Sequence, residues 1–157
     1  MSTPDSKPAA TGIAGVRIVP LARFVDARGA VLRMRRADDP DFVSFGEVYF
    51  SLVHAGVVKA WRRHTRTTAN MAVPVGTVRL VLVDRRVDSP TAGGVVERLI
   101  GEPDYCLVTI PPGVWSGFRA EGGGPALVAN FLTEVYDSSE VDSCDAASTD
   151  MPYLWTA

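Results

Sequence analysis

Short β-rich segments separated by turns of glycine and proline constrain the fold of this chain more than any other feature. Pro-Val-Gly at residues 74–76 and Pro-Pro-Gly at residues 111–113 are the two tightest turns, and each follows an apolar, strand-like run. Many short strands at spacings of roughly 8–12 residues, joined by such turns, are typical of a closed antiparallel sandwich or barrel. No long apolar run repeats with the 3.6-residue period of a helix. The sequence therefore predicts an all-β fold, with one short helical turn in the stretch SSEVDSCDAA.

The chain of 157 residues is long enough for one domain with a core of its own. We expect residues 1–12 to be a disordered leader, residues 13–136 to form the β domain, and residues 137–157 to be an acidic loop with an aromatic tail. Apolar and basic residues alternate over residues 31–35. This alternation predicts a strand with one buried face and one face that bears arginine.

Charge and cysteine content exclude several classes of partner. The formal net charge is −2, so the chain lacks the basic field that nucleic acid or an anionic membrane would attract. No apolar run has the length of a membrane helix, and the N-terminus lacks the features of a signal peptide. Cys106 and Cys144 match no metal-binding spacing, and a disulfide framework is not expected at this size. We expect a cytoplasmic protein whose partner is a small molecule, with no nucleic acid and no membrane.

Residues 56–76, GVVKAWRRHTRTTANMAVPVG, place a basic cluster and one histidine between two glycines. The spacing resembles the first motif of the cupin family, which is a glycine, five residues, His-x-His, three or four residues, a glutamate, six residues and a glycine. Residues 111–116 resemble the second cupin motif, Pro-x-Gly-x-x-His. The resemblance implies a double-stranded β-helix, or jelly-roll cupin barrel, with both motifs at its mouth.

The ligands of a cupin metal site are missing from the matching positions, which hold Arg62, His64, Ala69 and Ser116. A transition metal in such a site needs several imidazole and carboxylate ligands. One imidazole cannot hold the ion, and a neighbouring guanidinium repels it. We therefore predict no metal and no cofactor.

A narrower resemblance rests on the motifs FVDARG, EVYFSLVHAGVVKAW, VDRRVDSPTAG and IPPGVWSGF, which occur in this order over residues 24–155. They are similar to those of the dTDP-4-dehydrorhamnose 3,5-epimerase family, and of its short, divergent branch in particular. Members of that family are metal-free and usually dimeric. They remove the protons that flank the C4 ketone of a dTDP-sugar and return them on the other face. The resemblance implies a homodimer that acts on a nucleotide sugar.

The resemblance also implies changes at the chemical positions of the family. The position of the general base holds Arg62, which stays protonated and cannot accept a proton. The position of the opposing tyrosine acid holds Asn130, and the histidine after Pro-Pro-Gly is replaced by Ser116. The carboxylate that orients the base in relatives lies in a C-terminal segment that we expect to be absent from this chain.

The basic residues that hold the substrate in relatives are retained. Arg28 and Lys59 match positions that bind the diphosphate and the ketone oxygen, so a cationic pocket for an anion or an enolate is expected. His64 is either the base of that pocket or a structural histidine. Glu47 is either a second base or the ion-pair partner of Arg62. The predicted catalytic residues are His64, Lys59, Arg62 and Glu47, and the predicted substrate-binding residues are Arg28, Arg33, Asn130, Ser116, Tyr49 and Trp115.

Three functions are compatible with such a pocket. The first is an epimerase-like isomerase or cyclase that transfers protons on a keto- or enol-bearing small molecule. The substrate is then a nucleotide sugar or an intermediate of specialised metabolism. The second is a non-catalytic ligand-binding cupin derived from a sugar-nucleotide epimerase, and the third is a structural or regulatory cupin. Arg28 itself either binds the substrate or forms a structural pair with Asp26 or another acid.

Overall fold

A computed structural model describes residues 12–156, so the predicted leader lies outside the described residues except for Gly12. Over this range the chain forms strands joined by turns and one 3-10 turn, Ser138–Glu140, in the stretch where a helical turn is predicted. The predicted all-β fold is confirmed. The strands are β1 (Arg17–Pro20), β2 (Arg23–Asp26), β3 (Gly29–Leu32), β4 (Glu47–Val53), β5 (Val58–His64), β6 (Ala69–Val75), β7 (Thr77–Asp84), β8 (Val95–Gly101), β9 (Cys106–Ile110), β10 (Val114–Glu121), β11 (Ala126–Leu132) and β12 (Val141–Ser143).

Two five-stranded antiparallel sheets form the barrel. The first has the strand order β1-β9-β6-β11-β4 and the second β12-β5-β10-β7-β8, while β2 and β3 form a separate hairpin. Consecutive strands such as β6 and β7 belong to different sheets, so the chain winds back and forth across the barrel. The expected jelly-roll cupin architecture is confirmed.

The two tight turns of the sequence are crossings between the sheets. Gly76 joins β6 to β7 with a φ of +77°, and Gly113 precedes β10 with a φ of +89°. Side chains other than hydrogen disfavour this left-handed conformation. A Cβ at Gly76 would also lie 2.5 Å from the carbonyl oxygen of Pro125, so glycine is required there on both grounds.

The main core lies between the sheets, and β7 explains how both faces of the second sheet become apolar. Leu80 and Leu82 point into the barrel core, whereas Val81 and Val83 belong to a second cluster on the outer face. All four are at most 1% exposed. The run LVLV at residues 80–83 is therefore continuously apolar rather than alternating, because another segment covers the outer face of β7.

The covering element is the C-terminal segment, which the sequence analysis placed outside the domain. Its Met151, Tyr153 and Trp155 pack on the outer face against Trp61 and Trp115. The rings of Trp61 and Trp155 are 5.5 Å apart. Earlier in the same segment, β12 pairs with β5 and extends the second sheet. Residues 137–156 are thus part of the barrel wall.

The stretch of alternating residues at 31–35 is only partly a strand. β3 ends at Leu32, and the side chain of Arg35 turns inward, where it is 6% exposed and 2.7 Å from the carboxylate of Asp41. Burial of that ion pair overrides the local alternation. Within residues 12–156, no helix is long and apolar enough to cross a membrane.

Candidate active site

A cavity of about 650 Å³ opens between the two sheets. Its polar wall comes from β4 and β11 on one side and from β5, β10 and β12 on the other. Its apolar floor includes Met71, Ile110 and Val114. The predicted site residues that line it are Tyr49, Lys59, Arg62, His64, Ser116 and Asn130.

An irregularity in β5 brings three of its basic residues to the cavity. The pairing with β10 shifts between Ser116, which faces Arg62, and Gly117, which faces Ala60. The extra residue, Trp61, packs on the outer face of the sheet. A β-bulge of this kind changes the side-chain alternation, so Lys59 and Arg62, three positions apart, both reach the cavity.

Gly117 makes room for this bulge. A Cβ at this position would lie 2.5 Å from the Cβ of Ala60 and 3.2 Å from the ring of Trp61. Any larger residue would push β5 away from β10 at the point where the basic residues turn inward.

His64 is held by a buried carboxylate. Its Nδ1 lies 2.7 Å from Oε1 of Glu140, which is 2% exposed although it belongs to the acidic C-terminal segment. Oε1 also accepts a hydrogen bond from Oγ1 of Thr67 at 2.9 Å. Oε2 accepts from the backbone N–H groups of residues 65, 66 and 67 at 3.1 to 3.2 Å. Five donors therefore fix Glu140 in place.

Glu140 is ionised at neutral pH and determines which nitrogen of His64 bears the proton. Burial acts to raise the pKa of Glu140, but the hydrogen bonds from His64, Arg66 and Thr67 outweigh it and lower that pKa to about 2. An ionised carboxylate only accepts hydrogen bonds, so Nδ1 of His64 must donate. In the neutral ring Nε2 then has the free lone pair and can accept a proton.

The carboxylate partner of His64 was not predicted from the sequence. The partner expected to be absent belongs to the family's base position, which holds Arg62 here, whereas Glu140 pairs with His64 and follows it by 76 residues. The acidic stretch contains several carboxylates, and its sequence gives no sign of which one is buried. The pairing of Val141 with His64 in β12 and β5 selects the residue just before it.

The side chain of Lys59 reaches from β5 to the opposite sheet. Its Nζ donates hydrogen bonds to Oγ of Ser51 at 2.8 Å and to the carbonyl oxygen of Leu52 at 2.9 Å. Both acceptors belong to β4, the edge strand of the opposite sheet. A neutral hydroxyl and a carbonyl leave the positive charge of the ammonium uncompensated beside the cavity.

Arg62 and Glu47 do not form the ion pair that was one of the two alternatives for Glu47. Within residues 12–156, no carboxylate lies within 4.0 Å of the Arg62 guanidinium, and Glu47 is not among the residues that line the cavity. The neighbouring Arg63 points to the outer face instead, where it pairs with Asp142 and lies 4.9 Å from the ring of Trp115.

Three predicted substrate-binding residues lie away from the cavity in the single chain. Arg28 is at the tip of the β2–β3 hairpin with its side chain 90% exposed, and it pairs with Asp26 at 2.6 Å. Arg33 lies 5.4 Å from the ring of Phe24. Trp115 is 8% exposed in the outer aromatic cluster.

The donor set of the cavity does not suit a resident metal. Of the four cupin ligand positions, only His64 has a metal-binding side chain, and its Nδ1 is engaged by Glu140. In the part of the chain that the structure describes, no group of three or more His, Cys, Asp or Glu residues is arranged around a common point.

The family motif VDRRVDSPTAG builds a structural network outside the cavity. Asp84 is fully buried and accepts hydrogen bonds from Ser89 and Thr91, each at 2.6 Å, and from Arg86. Arg86 is the main cause of its pKa lying far below the usual range, ahead of the opposing effect of burial. The motif therefore fixes the loop after β7 and contributes no side chain to the cavity.

The fold is thus a jelly-roll cupin, and its cavity is lined by Lys59, Arg62 and His64 of β5, with the Glu140 carboxylate behind His64. The family model of dTDP-4-dehydrorhamnose 3,5-epimerase matches residues 10–156. The chain belongs to the dTDP-4-dehydrorhamnose 3,5-epimerase family.

Individual relatives agree with this assignment. The chain is 35% identical over 119 residues to the probable low-salt glycan biosynthesis epimerase Agl13 of Haloferax volcanii, covering 74% of this chain and 76% of the relative. It is 32% identical over 130 residues to the spore coat polysaccharide biosynthesis protein SpsL of Bacillus subtilis, covering 83% and 86%. The crystal structure of a dTDP sugar isomerase from Desulfovibrio desulfuricans superimposes with a TM-score of 0.92 at 40% identity, covering 94% of each chain. Family and relatives together support an epimerase-like, sugar-modifying function.

Proposed function

We propose that the protein is a metal-independent epimerase of a nucleotide-linked ketosugar and that His64 is its base. The observation that supports this most is the His64–Glu140 pair, because it leaves Nε2 of the ring as a proton acceptor beside a cationic cavity. A structural histidine would need neither a buried, five-fold hydrogen-bonded carboxylate nor a position in the cavity wall.

In the proposed reaction, Nε2 of His64 removes the proton from a carbon next to the sugar ketone. The electron pair of the C–H bond moves to the ketone oxygen, which becomes an enolate oxygen. Lys59 stabilises this developing negative charge, since an ammonium held by two hydrogen bonds at the cavity favours an oxyanion over a neutral ketone. The ketone re-forms when the carbon regains a proton.

Inversion requires that this proton arrive on the opposite face of the sugar, and Tyr49 is the proposed donor. It lies on β4 in the first sheet, whereas His64 lies on β5 in the second, and both line the same cavity. Its direct cross-strand neighbour is Asn130, the predicted counterpart of the family's tyrosine acid. A phenol on the neighbouring strand would thus take the role of that tyrosine.

We also propose that the protein is a homodimer in the cytoplasm. The first sheet ends at β4, whose outward side chains Val48, Phe50 and Leu52 are 44%, 63% and 57% exposed. An unpaired edge strand with an apolar outer face is an association surface. A second copy of the chain would cover this surface.

Deuterium exchange tests the proposed reaction. The protein is incubated in D₂O with dTDP-4-keto-6-deoxyglucose, and loss of the C–H signals next to the ketone is followed by NMR. We expect exchange that falls by about 100-fold or more in His64→Gln, because general base catalysis typically contributes that much. His54→Gln is the matched control, since His54 is exposed and lies outside the cavity.

Tyr49→Phe separates the two proton transfers. This variant should still exchange, but it should form little epimer. Exchange that is unaffected by His64→Gln would refute the assignment of the base. Tight binding without any exchange in the wild type would instead support a non-catalytic ligand-binding protein.

A further inference from the structure

Arg62 is a cation that the proposed proton transfer does not use. Its side chain lines the cavity, and across residues 12–156 it has no carboxylate partner. Arg63, one residue later, is fully engaged by Asp142 and the ring of Trp115 on the other face of the same strand. Arg63 is therefore already paired, whereas Arg62 is available to bind a ligand.

The cavity offers Arg62 no internal counter-charge. Among the described residues that line it, Lys59 and Arg62 are cationic and none is an aspartate or a glutamate. Glu140 lies behind His64, with both oxygens occupied by five donors. In a chain whose net charge is −2, this local excess of positive charge indicates an anionic ligand.

The surroundings of Arg62 suit a group with two oxygens. Its cross-strand partners are Ser116 in β10 and Ser143 in β12, and all three residues line the cavity. Side chains directly opposite each other in antiparallel strands share a face, so two serines lie beside the start of the Arg62 side chain, and the Ser116 hydroxyl donates to the backbone carbonyl of Arg62 at 3.5 Å. Lys59 is a point charge suited to one enolate oxygen, whereas the planar fork of an arginine matches both oxygens of a carboxylate.

We propose that Arg62 binds a carboxylate on the sugar itself, so that the substrate class is a nucleotide-linked ketosugar acid. This inference rests on the proposed function for the nucleotide sugar, and it adds the acidic substituent. Arg62 lies between Lys59 and His64 along β5. The carboxylate is therefore held beside the reacting carbon, and the same contact orients the ring between His64 and Tyr49.

Calorimetric titration with three probes tests the proposal: dTDP, dTDP-glucose and dTDP-glucuronate. The wild type should bind dTDP-glucuronate about 10-fold to 100-fold more tightly than dTDP-glucose, the range expected for a charge-assisted, two-oxygen contact. Arg62→Gln should remove that preference and leave the affinity for dTDP within about twofold. Arg63→Gln, the matched control on the outer face, should leave all three affinities unchanged.

Each other outcome overturns the proposal. If the wild type binds both sugars equally, Arg62 recognises no carboxylate. If Arg62→Gln weakens dTDP as much as dTDP-glucuronate, Arg62 holds the diphosphate. If none of the probes binds, the nucleotide-sugar assignment fails together with this inference. His64-dependent exchange with no preference for dTDP-glucuronate would leave the proposed function intact and refute the carboxylate alone.

Discussion

Replacing Glu140 with glutamine tests the buried carboxylate on which the candidate active site depends. Glu140 is 2% exposed, and its pKa is lowered from 4.5 to about 2. By linkage between ionisation and folding, its ionised form then stabilises the fold by about 3 kcal/mol at neutral pH. We expect Glu140→Gln to lower the free energy of unfolding by about that amount.

The stability lost in Glu140→Gln should decrease as the pH is lowered. Because the pKa of Glu140 is lower in the folded protein than in the unfolded chain, its stabilisation is fully present above pH 4.5. It disappears as the pH falls towards 2. Denaturant unfolding of the wild type and Glu140→Gln at several pH values should therefore give a difference that shrinks as the pH falls below about 4.5.

Glu140→Gln should also prevent His64 from accepting a proton from the substrate. If the amide oxygen takes the place of Oε2 among the backbone N–H groups, the amide nitrogen faces Nδ1 of His64 and donates to it. The ring proton then moves to Nε2, which can no longer accept one. We expect exchange to fall by about 100-fold or more, as when an orienting carboxylate imposes the wrong tautomer elsewhere.

Glu134→Gln is the control for both effects. Glu134 pairs with Arg66 at 2.5 Å, but its side chain is 38% exposed, so its loss should cost less than about 1 kcal/mol. Equal destabilisation by the two substitutions, or a difference that persists at low pH, would refute the reasoning about Glu140. Undiminished exchange in Glu140→Gln would refute its role in orienting His64.

Two other predictions concern the fold and the assembly. Asp84→Asn should lower the free energy of unfolding by about 3 kcal/mol, because it removes the charge of a fully buried carboxylate that pairs with Arg86. Its exchange rate per folded molecule should stay at the wild-type level, and a cost below about 1 kcal/mol in denaturant titrations would contradict this. Val48→Glu should convert the proposed dimer to a monomer in light scattering after size-exclusion chromatography. The same change at Val95, 40% exposed on the edge strand of the other sheet, should not do so, and a monomeric wild type would contradict the proposed interface.

Local sequence patterns were sufficient for most of the architecture. The turns at residues 74–76 and 111–113 were recognisable in the sequence because their backbone conformation requires glycine. In the structure, both turns connect one sheet to the other. The pattern was misleading at residues 31–35, where the Arg35–Asp41 pair ends the strand. Charge pairing between segments is invisible to a count of alternating residues, so such exceptions are not predictable locally.

Within the site too, the sequence located the basic residues of β5 but not the contacts that they make. The resemblance to the first cupin motif implied that Arg62 and His64 lie at the barrel mouth, and both line the cavity. The ion pair considered between Glu47 and Arg62 did not form, because side-chain type alone does not specify contacts between strands. Arg28 was selected by its motif, but in the single chain it lies on an exposed hairpin paired with Asp26.

The sequence by itself determined the all-β barrel, its two tightest turns, its family and the basic residues of β5, since these depend on residue type and short motifs. Only the tertiary structure decided that Glu140 orients His64, that Arg62 faces the cavity unpaired, and that the C-terminal segment closes the outer face. Each of these depends on strand register over a long separation, 76 residues for His64 and Glu140. A shift of one residue in β12 would place a different side chain behind His64, and nothing local to either segment fixes that register.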